Sequence, residues 1–373
     1  MSLEGILSGD IGGLTELTSL DFSFNKGLTG SLSPRLGDLQ KLNVLILAGC
    51  SFTGNIPDEL GNLADLSFLA LNSNNFSGRI PTSLGKLSKL YWLDLADNQL
   101  TGSIPVSTST SPGLDLLKNA KHFDLSNNSF DPSEAPIWFS TLPSLTVLVM
   151  EYGSLQGRVP EKLFSFSQIQ QVKLRNNMFN GSLSFGDSFS SQLQLVDLEN
   201  NKITSVTLSS SYTNTLILVG NPVCAALPNT SYCQPQQQST KPYSTSLVQC
   251  GGKSCPADQK MSPQNCECAY PYKGTMYFRA PSFRDLSNVT FFHSLEMSLW
   301  VQMNLTPGSV FLQNPFFNAD DYLQVQLALF PSPRKNFNDS EVESIGMELS
   351  KQTYKPPKEF GPYYFIASPY VFH

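Results

Sequence analysis

The amino-acid sequence predicts a solenoid of mostly parallel β-strands, followed by a small cysteine-rich linker and an α+β domain. Three observations support this fold class. Roughly the first 220 residues repeat a leucine-containing unit at intervals close to 24 residues. Four of the seven cysteines then fall within one short segment. Beyond Gly274 the repeat disappears, and patterns typical of helices and strands alternate.

The repeat is clearest in LNVLILAGCSFTGNIPDELGNLADL and the following LSFLALNSNNFSGRIPTSLGKLSKL. Its consensus is LxxLxLxxNxLxGxIPxxLGxLxx, and we call the Asn of this consensus the ladder position. The ladder position recurs at Asn25, Cys50, Asn74, Asn98, Asn128, Gly153, Asn177 and Asn201, at spacings of 25, 24, 24, 30, 25, 24 and 24 residues. This regularity predicts about eight stacked leucine-rich repeats.

Each part of the consensus has a physical role. The LxL segment predicts a short strand whose leucines point into the core, so that stacked strands form a parallel sheet on the concave face. The ladder Asn can satisfy backbone groups of the adjoining turns. The G-x-I-P segment turns the chain onto the convex side, where short 3-10 and β elements, with a second sheet, resemble the plant-specific class of repeat. We interpret Cys50 as a buried structural thiol.

Two irregularities affect this array. The 30-residue interval before Asn128 carries about six extra residues, and such insertions map to loops that often lie on a binding face. The chain also begins inside a repeat, because LSGDI matches the L-x-G-x-I part without a preceding strand or cap. Terminal repeats normally need a polar cap, so we expect residues before Met1 to be missing or this end to be frayed.

The concave side chains can be read as columns across the repeats. The first column runs through Ser19, Val44, Phe68, Trp92, His122, Val147, Gln171 and Leu195. Its consecutive apolar and aromatic members predict an exposed stripe of the kind that marks interaction sites. The second and third columns add charged side chains beside it. The candidate ligand-binding residues are Phe68, Trp92, Asp94, His122, Asp124, Lys173 and Arg175.

Lys173 and Arg175 resemble the basic pair with which some plant leucine-rich-repeat receptors grip the terminal carboxylate of a peptide. Two alternatives remain open. The aromatic residues Phe68 and Trp92 could instead pack under a glycan or a neighbouring loop, and the basic pair could form a solvated face.

Charge and targeting signals limit the possible partners. The net charge is -6 and no Lys/Arg run occurs, which disfavours nucleic acid and anionic membranes. No apolar stretch approaches membrane-spanning length, and the first residues lack the features of a signal peptide. Seven N-x-S/T sequons, together with the clustered cysteines, favour the secretory pathway and the extracellular side of the plasma membrane. The glycosylation candidates are Asn75, Asn127, Asn180, Asn229, Asn288, Asn304 and Asn338.

The cysteines suggest where the array ends. Cys224 and Cys233 read as a capping disulfide, which gives a solenoid at 1–223, a cap and cysteine-rich linker at 224–273, and an α+β domain at 274–373. Cys250, Cys255, Cys266 and Cys268 permit three connectivities, and their spacing fits no usual zinc site. A bridge within Cys266-x-Cys268 would be strained, so we expect each to pair upstream, for stability or as a redox switch.

The last segment predicts the order β-α-β-β-α-β, typical of a ferredoxin-like or SEA-like domain. Its second helix is expected to begin with a capping box formed by Ser340 and Glu343. The segment contains no phosphate-binding glycine loop, nucleophile elbow or converging carboxylates, and the chain has only three histidines. We therefore expect neither a catalytic site, nor a metal, nor a cofactor.

The stretches GLDLLKNAKHF, CECAYPYKGTMYFRAPSF, LQNPFFNADDYLQVQLALFP and QTYKPPKEFGPYYF resemble the ectodomain of plant leucine-rich-repeat receptor-like kinases of subfamily VIII. The resemblance implies a transmembrane helix and a cytoplasmic Ser/Thr kinase domain beyond His373. It also implies a possible role in sensing extracellular hydrogen peroxide or quinones. In the peroxide sensor the extra cysteines form C-x2-C and C-x-C, whereas here Cys250 and Cys255 form C-x4-C.

Three functions follow as expectations. The first is a receptor ectodomain that recognises a small molecule, a peptide or a reactive oxygen species and associates with the ectodomain of a co-receptor kinase. The second is a freestanding secreted inhibitor or adhesion protein that binds another protein. The third is redox activity in the cysteine-rich region.

Overall fold

The computed structural model of the protein describes residues 3–186, 188–208, 212–234, 241–252, 254–278, 281, 283, 286–318, 322–350, 352–361 and 363–372. The chain divides into two compact units, Met1–Gln236 and Gln237–His373, which we call the repeat unit and the C-terminal unit. The domain limits at residues 223 and 273 stay predictions. Within the described ranges, no helix is both long enough and apolar enough to cross a membrane.

The repeat unit consists of short strands joined by 3-10 turns, as its consensus predicts. The strands are β1 (Glu4–Ile6), β2 (Ser19–Asp21), β3 (Gly27–Gly30), β4 (Val44–Ile46), β5 (Ser51–Asn55), β6 (Phe68–Ala70), β7 (Asn75–Gly78), β8 (Trp92–Asp94), β9 (Gln99–Gly102), β10 (His122–Asp124), β11 (Ser129–Phe130), β12 (Ser133–Glu134), β13 (Val147–Val149), β14 (Leu155–Gly157), β15 (Gln171–Lys173), β16 (Met178–Ser184), β17 (Leu195–Asp197), β18 (Lys202–Thr207) and β19 (Thr215–Ile217). A short helix, α1 (Pro222–Ala226), follows them.

One parallel sheet runs through the whole repeat unit. Its strand order is β19-β17-β15-β13-β10-β8-β6-β4-β2, so each repeat adds one strand beside the last. In leucine-rich repeats this sheet lines the concave face, and we call it the concave sheet. The middle residue of each strand is buried in a single core that continues from repeat to repeat, as Leu45, Leu69 and Leu93 illustrate.

The second sheet predicted for the G-x-I-P segments is present, but it is in two pieces. Strands β1, β3, β5, β7, β9 and β11 form one parallel sheet, and β12, β14, β16 and β18 form another. The short 3-10 helices that follow are Gly9–Gly13, Pro34–Asp38, Asp58–Asn62, Thr82–Lys86, Leu114–Leu116, Ile137–Ser140 and Glu161–Ser165. Glycine allows these turns to stack closely, because a Cβ on Gly37 would lie 2.4 Å from the carbonyl oxygen of Glu59.

The ladder asparagines bind the repeats together through backbone hydrogen bonds. The Asn98 Nδ2 group donates to the carbonyl oxygens of Leu71, Leu95 and Ala96 at 3.1, 3.2 and 3.1 Å. Its Oδ1 atom accepts a hydrogen bond from the Phe76 amide at 3.0 Å. Asn74, Asn128, Asn177 and Asn201 bond in the same way, as does Asn221, which follows the last strand of the array. One buried side chain therefore satisfies backbone groups of two consecutive repeats.

Two ladder positions depart from asparagine. Cys50 is buried, and its thiol lies 3.2 Å from the Phe22 carbonyl oxygen, so it replaces only part of the asparagine network. Burial raises the pKa of this thiol. Gly153 has no side chain to reach the preceding repeat, and a small cavity lies beside it, lined in part by Leu125, Phe130 and Asn177. The second sheet is interrupted in the preceding repeat, that of Asn128, because β14 pairs with β12 and not with β11.

The C-terminal unit contains the predicted β-α-β-β-α-β order, preceded by a small hairpin. Its elements are β20 (Lys260–Met261), β21 (Cys268–Ala269), β22 (Tyr272–Phe278), α2 (Val289–Gln302), β23 (Val310–Phe317), β24 (Leu323–Leu329), α3 (Asp339–Ser350) and β25 (Tyr363–Ala367). The four long strands form an antiparallel sheet in the order β23-β24-β22-β25. Both helices pack into one core with this sheet. A ferredoxin-like or SEA-like identity stays a prediction.

The capping box of α3 lies two residues earlier than the sequence analysis placed it. The Asn338 Oδ1 atom accepts a hydrogen bond from the Glu341 amide at 2.9 Å, and the Glu341 carboxylate accepts one from the Asn338 amide at 2.9 Å. Ser340 is inside the helix and its hydroxyl donates to Asn338. The prediction of Ser340 with Glu343 was wrong. Asn338 and Glu341 have the same three-residue spacing, and the helix that they cap is two residues, about half a turn, longer at its start.

Replacing Asn98 with Ala is expected to lower the free energy of unfolding by about 3 kcal/mol, because it leaves several buried backbone groups without partners. Thermal unfolding followed by circular dichroism measures this loss. Gln99→Ala, at the exposed neighbouring position, is the control and should change the melting temperature little. Equal melting temperatures for the two variants would contradict a stabilising role for the ladder.

Candidate functional site

The concave sheet places one side chain from each repeat in register with the next. Phe68 pairs with Trp92, Trp92 with His122, and His122 with Val147 along adjacent parallel strands. The same register aligns Asp94 with Asp124 in the second column. Neighbouring strands lie about 4.8 Å apart, so side chains of one column are in contact distance.

The aromatic members of the first column form a stack that we call the aromatic stack: Phe68, Trp92 and His122. The Phe68 and Trp92 rings are 5.2 Å apart between centroids and nearly parallel, at 11°. The Trp92 and His122 rings are 3.4 Å apart at 2°. Flat rings at the strand spacing stack face to face, which covers most of their surface.

The aromatic stack is therefore not the exposed stripe that the sequence analysis predicted. Phe68, Trp92 and His122 are 1%, 6% and 9% exposed. The correction has a physical reason: each ring shields the next, and Tyr91 adds an edge contact to Phe68, with the centroids 6.1 Å apart. Only ring edges remain available to a ligand at this place.

A cluster of charged side chains lies farther along the sheet, and we call Asp124, Glu151, Lys173 and Arg175 the charged cluster. The Arg175 Nε atom lies 2.9 Å from Oε2 of Glu151. The Arg175 guanidinium also lies over the Tyr152 ring, 5.5 Å from its centroid. Glu151 and Lys173 are buried, whereas the Arg175 side chain is about one-third exposed. Arg175 is thus the accessible cation of the basic pair.

Burial and neighbouring charges shift two pKa values in the charged cluster. Burial and, to a smaller extent, the Glu151 carboxylate raise the pKa of Asp124 to about 7, although hydrogen bonds from Ser126 and the charge of Lys173 lower it. Burial lowers the pKa of Arg175, but Glu151, Tyr152 and Asp197 together outweigh burial and raise it. Because Glu151 neutralises much of the Arg175 charge, the basic pair attracts anions less than its sequence suggests.

The second-column aspartates also have a structural task. The Asp94 and Asp124 Oδ1 atoms accept hydrogen bonds from the amides of Ala96 and Ser126, two residues later, at 3.1 and 2.9 Å. Asp197 does the same for Glu199 at 3.0 Å. Glu151 is not among the residues that the sequence suggested as candidates, but it is central to the cluster because it holds Arg175.

All six cysteines near the end of the repeats are disulfide-bonded. Cys224 pairs with Cys233, Cys250 with Cys266, and Cys255 with Cys268. Each cysteine of the C-x-C pair therefore bonds upstream. Cys250 is buried, whereas Cys255 and Cys268 are both partly exposed, which makes theirs the more accessible bond of the cysteine-rich segment.

The sequon asparagines lie at the surface. Asn75, Asn127, Asn180, Asn229, Asn304 and Asn338 are exposed, and Asn288 is partly buried. Asn288 is the N-cap of α2, where its side chain accepts a hydrogen bond from the Phe291 amide at 3.2 Å.

Asp124→Asn removes a carboxyl group whose pKa in the folded protein lies above the value of about 3.9 expected in the unfolded chain. Between about pH 4 and pH 7 the folded state binds more protons at this group, so its contribution to stability falls as pH rises. We expect the difference in melting temperature, variant minus wild type, to be more positive at about pH 8 than at about pH 4.5. Calorimetry at both pH values measures this.

The control for that experiment is Asp197→Asn, which changes an aspartate that accepts the equivalent hydrogen bond in a later repeat. The same pH trend in both variants would contradict a specific effect of Asp124.

Sequence comparisons relate this chain to plant receptor kinases. The family model described as Leucine Rich Repeat matches residues 41–63, 65–87 and 89–110. The probable leucine-rich repeat receptor-like protein kinase At5g49770 of Arabidopsis thaliana is 37% identical over 254 residues, which cover 66% of this chain and 26% of that protein. The probable kinase At5g37450 of the same plant is 27% identical over 249 residues, 61% and 24% of the two chains. The chain thus spans about a quarter of the length of the curated relatives it matches.

Two solved structures share the fold of the repeat unit. A crystal structure of a TDR receptor has a TM-score of 0.54 and 34% identity, over 59% of this chain and 37% of that one. A crystal structure of a plant ice-binding protein has a TM-score of 0.51 and 28% identity, over 59% and 69%. The repeat unit is a leucine-rich-repeat solenoid, similar in sequence to part of plant receptor-like kinases.

Proposed function

We propose that this chain is the extracellular recognition region of a plant receptor kinase of subfamily VIII. The observation that carries the proposal is the 37% identity over 254 residues to At5g49770, a probable receptor-like protein kinase, of which this chain matches only 26%. A transmembrane helix and a Ser/Thr kinase domain would belong to the rest of the parent protein. This region would receive a signal and associate with the ectodomain of a co-receptor kinase.

The proposed location is the extracellular side of the plasma membrane. Its support is the set of three disulfides, which persist in oxidising compartments and are rare in the cytosol. The exposed sequons are also compatible with passage through the secretory pathway.

The proposed ligand surface is the concave sheet from the aromatic stack to the charged cluster. Its candidate contacts are Phe68, Trp92, Asp94, His122, Asp124, Lys173 and Arg175. Because Phe68 and Trp92 are buried and Arg175 is accessible, a carboxylate-bearing peptide would meet Arg175 first and compete with Glu151 for its guanidinium.

A freestanding secreted inhibitor or adhesion protein is the alternative function. Sequencing the transcript beyond the codon for His373 separates the two proposals. A segment encoding a transmembrane helix and a kinase favours the receptor, and a stop codon without them favours the alternative.

Arg175→Gln is expected to weaken binding of peptides with free C-terminal carboxylates by about tenfold, the loss of one charge-assisted hydrogen bond. The probe is a synthetic peptide library presented once with free C-termini and once amidated, measured by surface plasmon resonance. Arg158→Gln, at an exposed arginine just after β14, is the matched control. Equal binding of the free and amidated peptides would remove the carboxylate proposal.

A redox signal, such as hydrogen peroxide or a quinone, is the other signal that we propose for this receptor. The structure contains both cysteine pairs of the C-terminal unit in the disulfide form, so a response requires one pair to be reduced in the resting protein. The pair Cys255 and Cys268 is the more accessible candidate.

Under the redox proposal, Cys255 and Cys268 react with iodoacetamide before peroxide treatment and are protected after it. Mass spectrometry of the alkylated peptides measures this, with the capping pair Cys224 and Cys233 as the internal control. Absence of alkylation at Cys250, Cys255, Cys266 and Cys268 before treatment would rule out peroxide sensing by these cysteines.

A further inference from the structure

Helix α2 has apolar side chains on both of its faces. Toward the sheet it buries Phe292, Leu295 and Leu299. On the other side Met297 and Val301 are 46% and 68% exposed. Two large apolar side chains that face water one turn apart form a small apolar patch, which a neighbouring group can shield.

The outer face of α2 is narrow and carries no exposed carboxylate, lysine or arginine side chain. With 3.6 residues per turn, Met297 and Val301 lie one turn apart on the same side of the helix. His293 lies one turn before them, and its ring meets the Trp300 ring edge-on with centroids 6.0 Å apart. The single charged residue of the helix, Glu296, is buried and accepts a hydrogen bond from the Tyr243 hydroxyl at 2.8 Å. The Glu296 carboxylate also lies 3.2 Å from the His293 Nδ1 atom, so it offers no free charge to a partner on this face.

The helix ends in a geometry that places Asn304 beside this face. The Leu305 amide donates to the Trp300 carbonyl oxygen at 2.8 Å and the Asn304 amide to that of Val301 at 3.4 Å, which together form a Schellman motif. Asn304 takes the left-handed conformation, with φ at 51°, and its side chain is exposed. It begins the sequon Asn304-Leu305-Thr306, and Thr306 is also exposed.

We propose that Asn304 carries an N-linked glycan whose first sugars lie over Met297 and Val301 and cover the outer face of α2. Asn304 follows Val301 by three residues, so the attachment point is roughly one helical turn, about 5 Å, along the axis. Sugar rings present apolar C–H faces that pack on apolar side chains while their hydroxyls stay in water. The proposal rests on the extracellular location proposed above.

A competing explanation accounts for Asn304 alone. Asparagine is favoured after glycine at the left-handed position that ends a helix, so the residue could be present only as a cap. That explanation requires neither Thr306 nor an apolar outer face. The test must therefore remove the glycan while it preserves the cap, which Thr306→Ala and Asn304→Gly both do.

The experiment uses the full chain secreted from insect cells. We expect glycopeptide mass spectrometry to find Asn304 occupied in wild type and in Thr306→Ser, and unoccupied in Thr306→Ala. Loss of the glycan should increase the fluorescence of a hydrophobic dye such as ANS and lower the melting temperature by roughly 3 °C. Asn304→Gly should behave like Thr306→Ala. Asn229→Gln, which removes a sequon of the repeat unit, is the control and should change neither property.

The same glycan-removing substitution in a second variant tests whether the glycan acts through its contact with Met297 and Val301. In a Met297→Gln, Val301→Gln variant the outer face is polar, so Thr306→Ala should no longer change dye fluorescence or melting temperature. The proposal is overturned if Asn304 is unoccupied while other sequons are modified, or if Thr306→Ala has no effect in the wild-type background. An effect that persists in the polar background, or strong dye binding by the glycosylated wild type, also overturns it. A chain unmodified at every sequon would instead remove the proposed location, and this inference with it.

Discussion

The hydrogen-bond network of the ladder asparagines is the interaction on which the rest of the repeat unit depends. Each of these side chains satisfies carbonyl and amide groups that the turn between repeats would otherwise bury without partners. The network fixes how one repeat sits on the next, and this in turn brings the concave strands into register. The stacking of Phe68 on Trp92 and the meeting of Glu151 with Arg175 both follow from that register.

The periodic part of the fold could be predicted from the sequence because every repeat makes the same contacts. Ladder residues such as Asn98, the buried strand residues and the second sheet all follow from position within the unit. The burial of Phe68 and Trp92 could not be predicted in this way, because it depends on the orientation of their rings across neighbouring strands. A column shows which side chains are adjacent, but it does not show what fraction of each side chain is buried by its neighbours.

Prediction from the sequence was also limited where one local motif is compatible with more than one structural arrangement. Asn338 with Glu341 and Ser340 with Glu343 satisfy the same capping rule, and only the packing of α3 selects the first. Four clustered cysteines likewise allowed three connectivities, and the three-dimensional fold of the segment selects Cys250 with Cys266 and Cys255 with Cys268. At the candidate ligand surface, the charged residues could be identified from the sequence. The ion pair by which Glu151 neutralises much of the Arg175 charge could not.

The interruption of the second sheet between β11 and β12, in the repeat before Gly153, has a mechanical consequence. The first piece of the second sheet ends at β11 and the second begins at β12, so at this repeat only the concave sheet is continuous. The missing ladder side chain removes the hydrogen bonds that elsewhere tie the two faces of the solenoid together. A force that bends the solenoid away from its concave face would therefore meet the least resistance here. Repeats on either side would move as stiff segments about one compliant joint, which lies next to the strand that precedes Glu151.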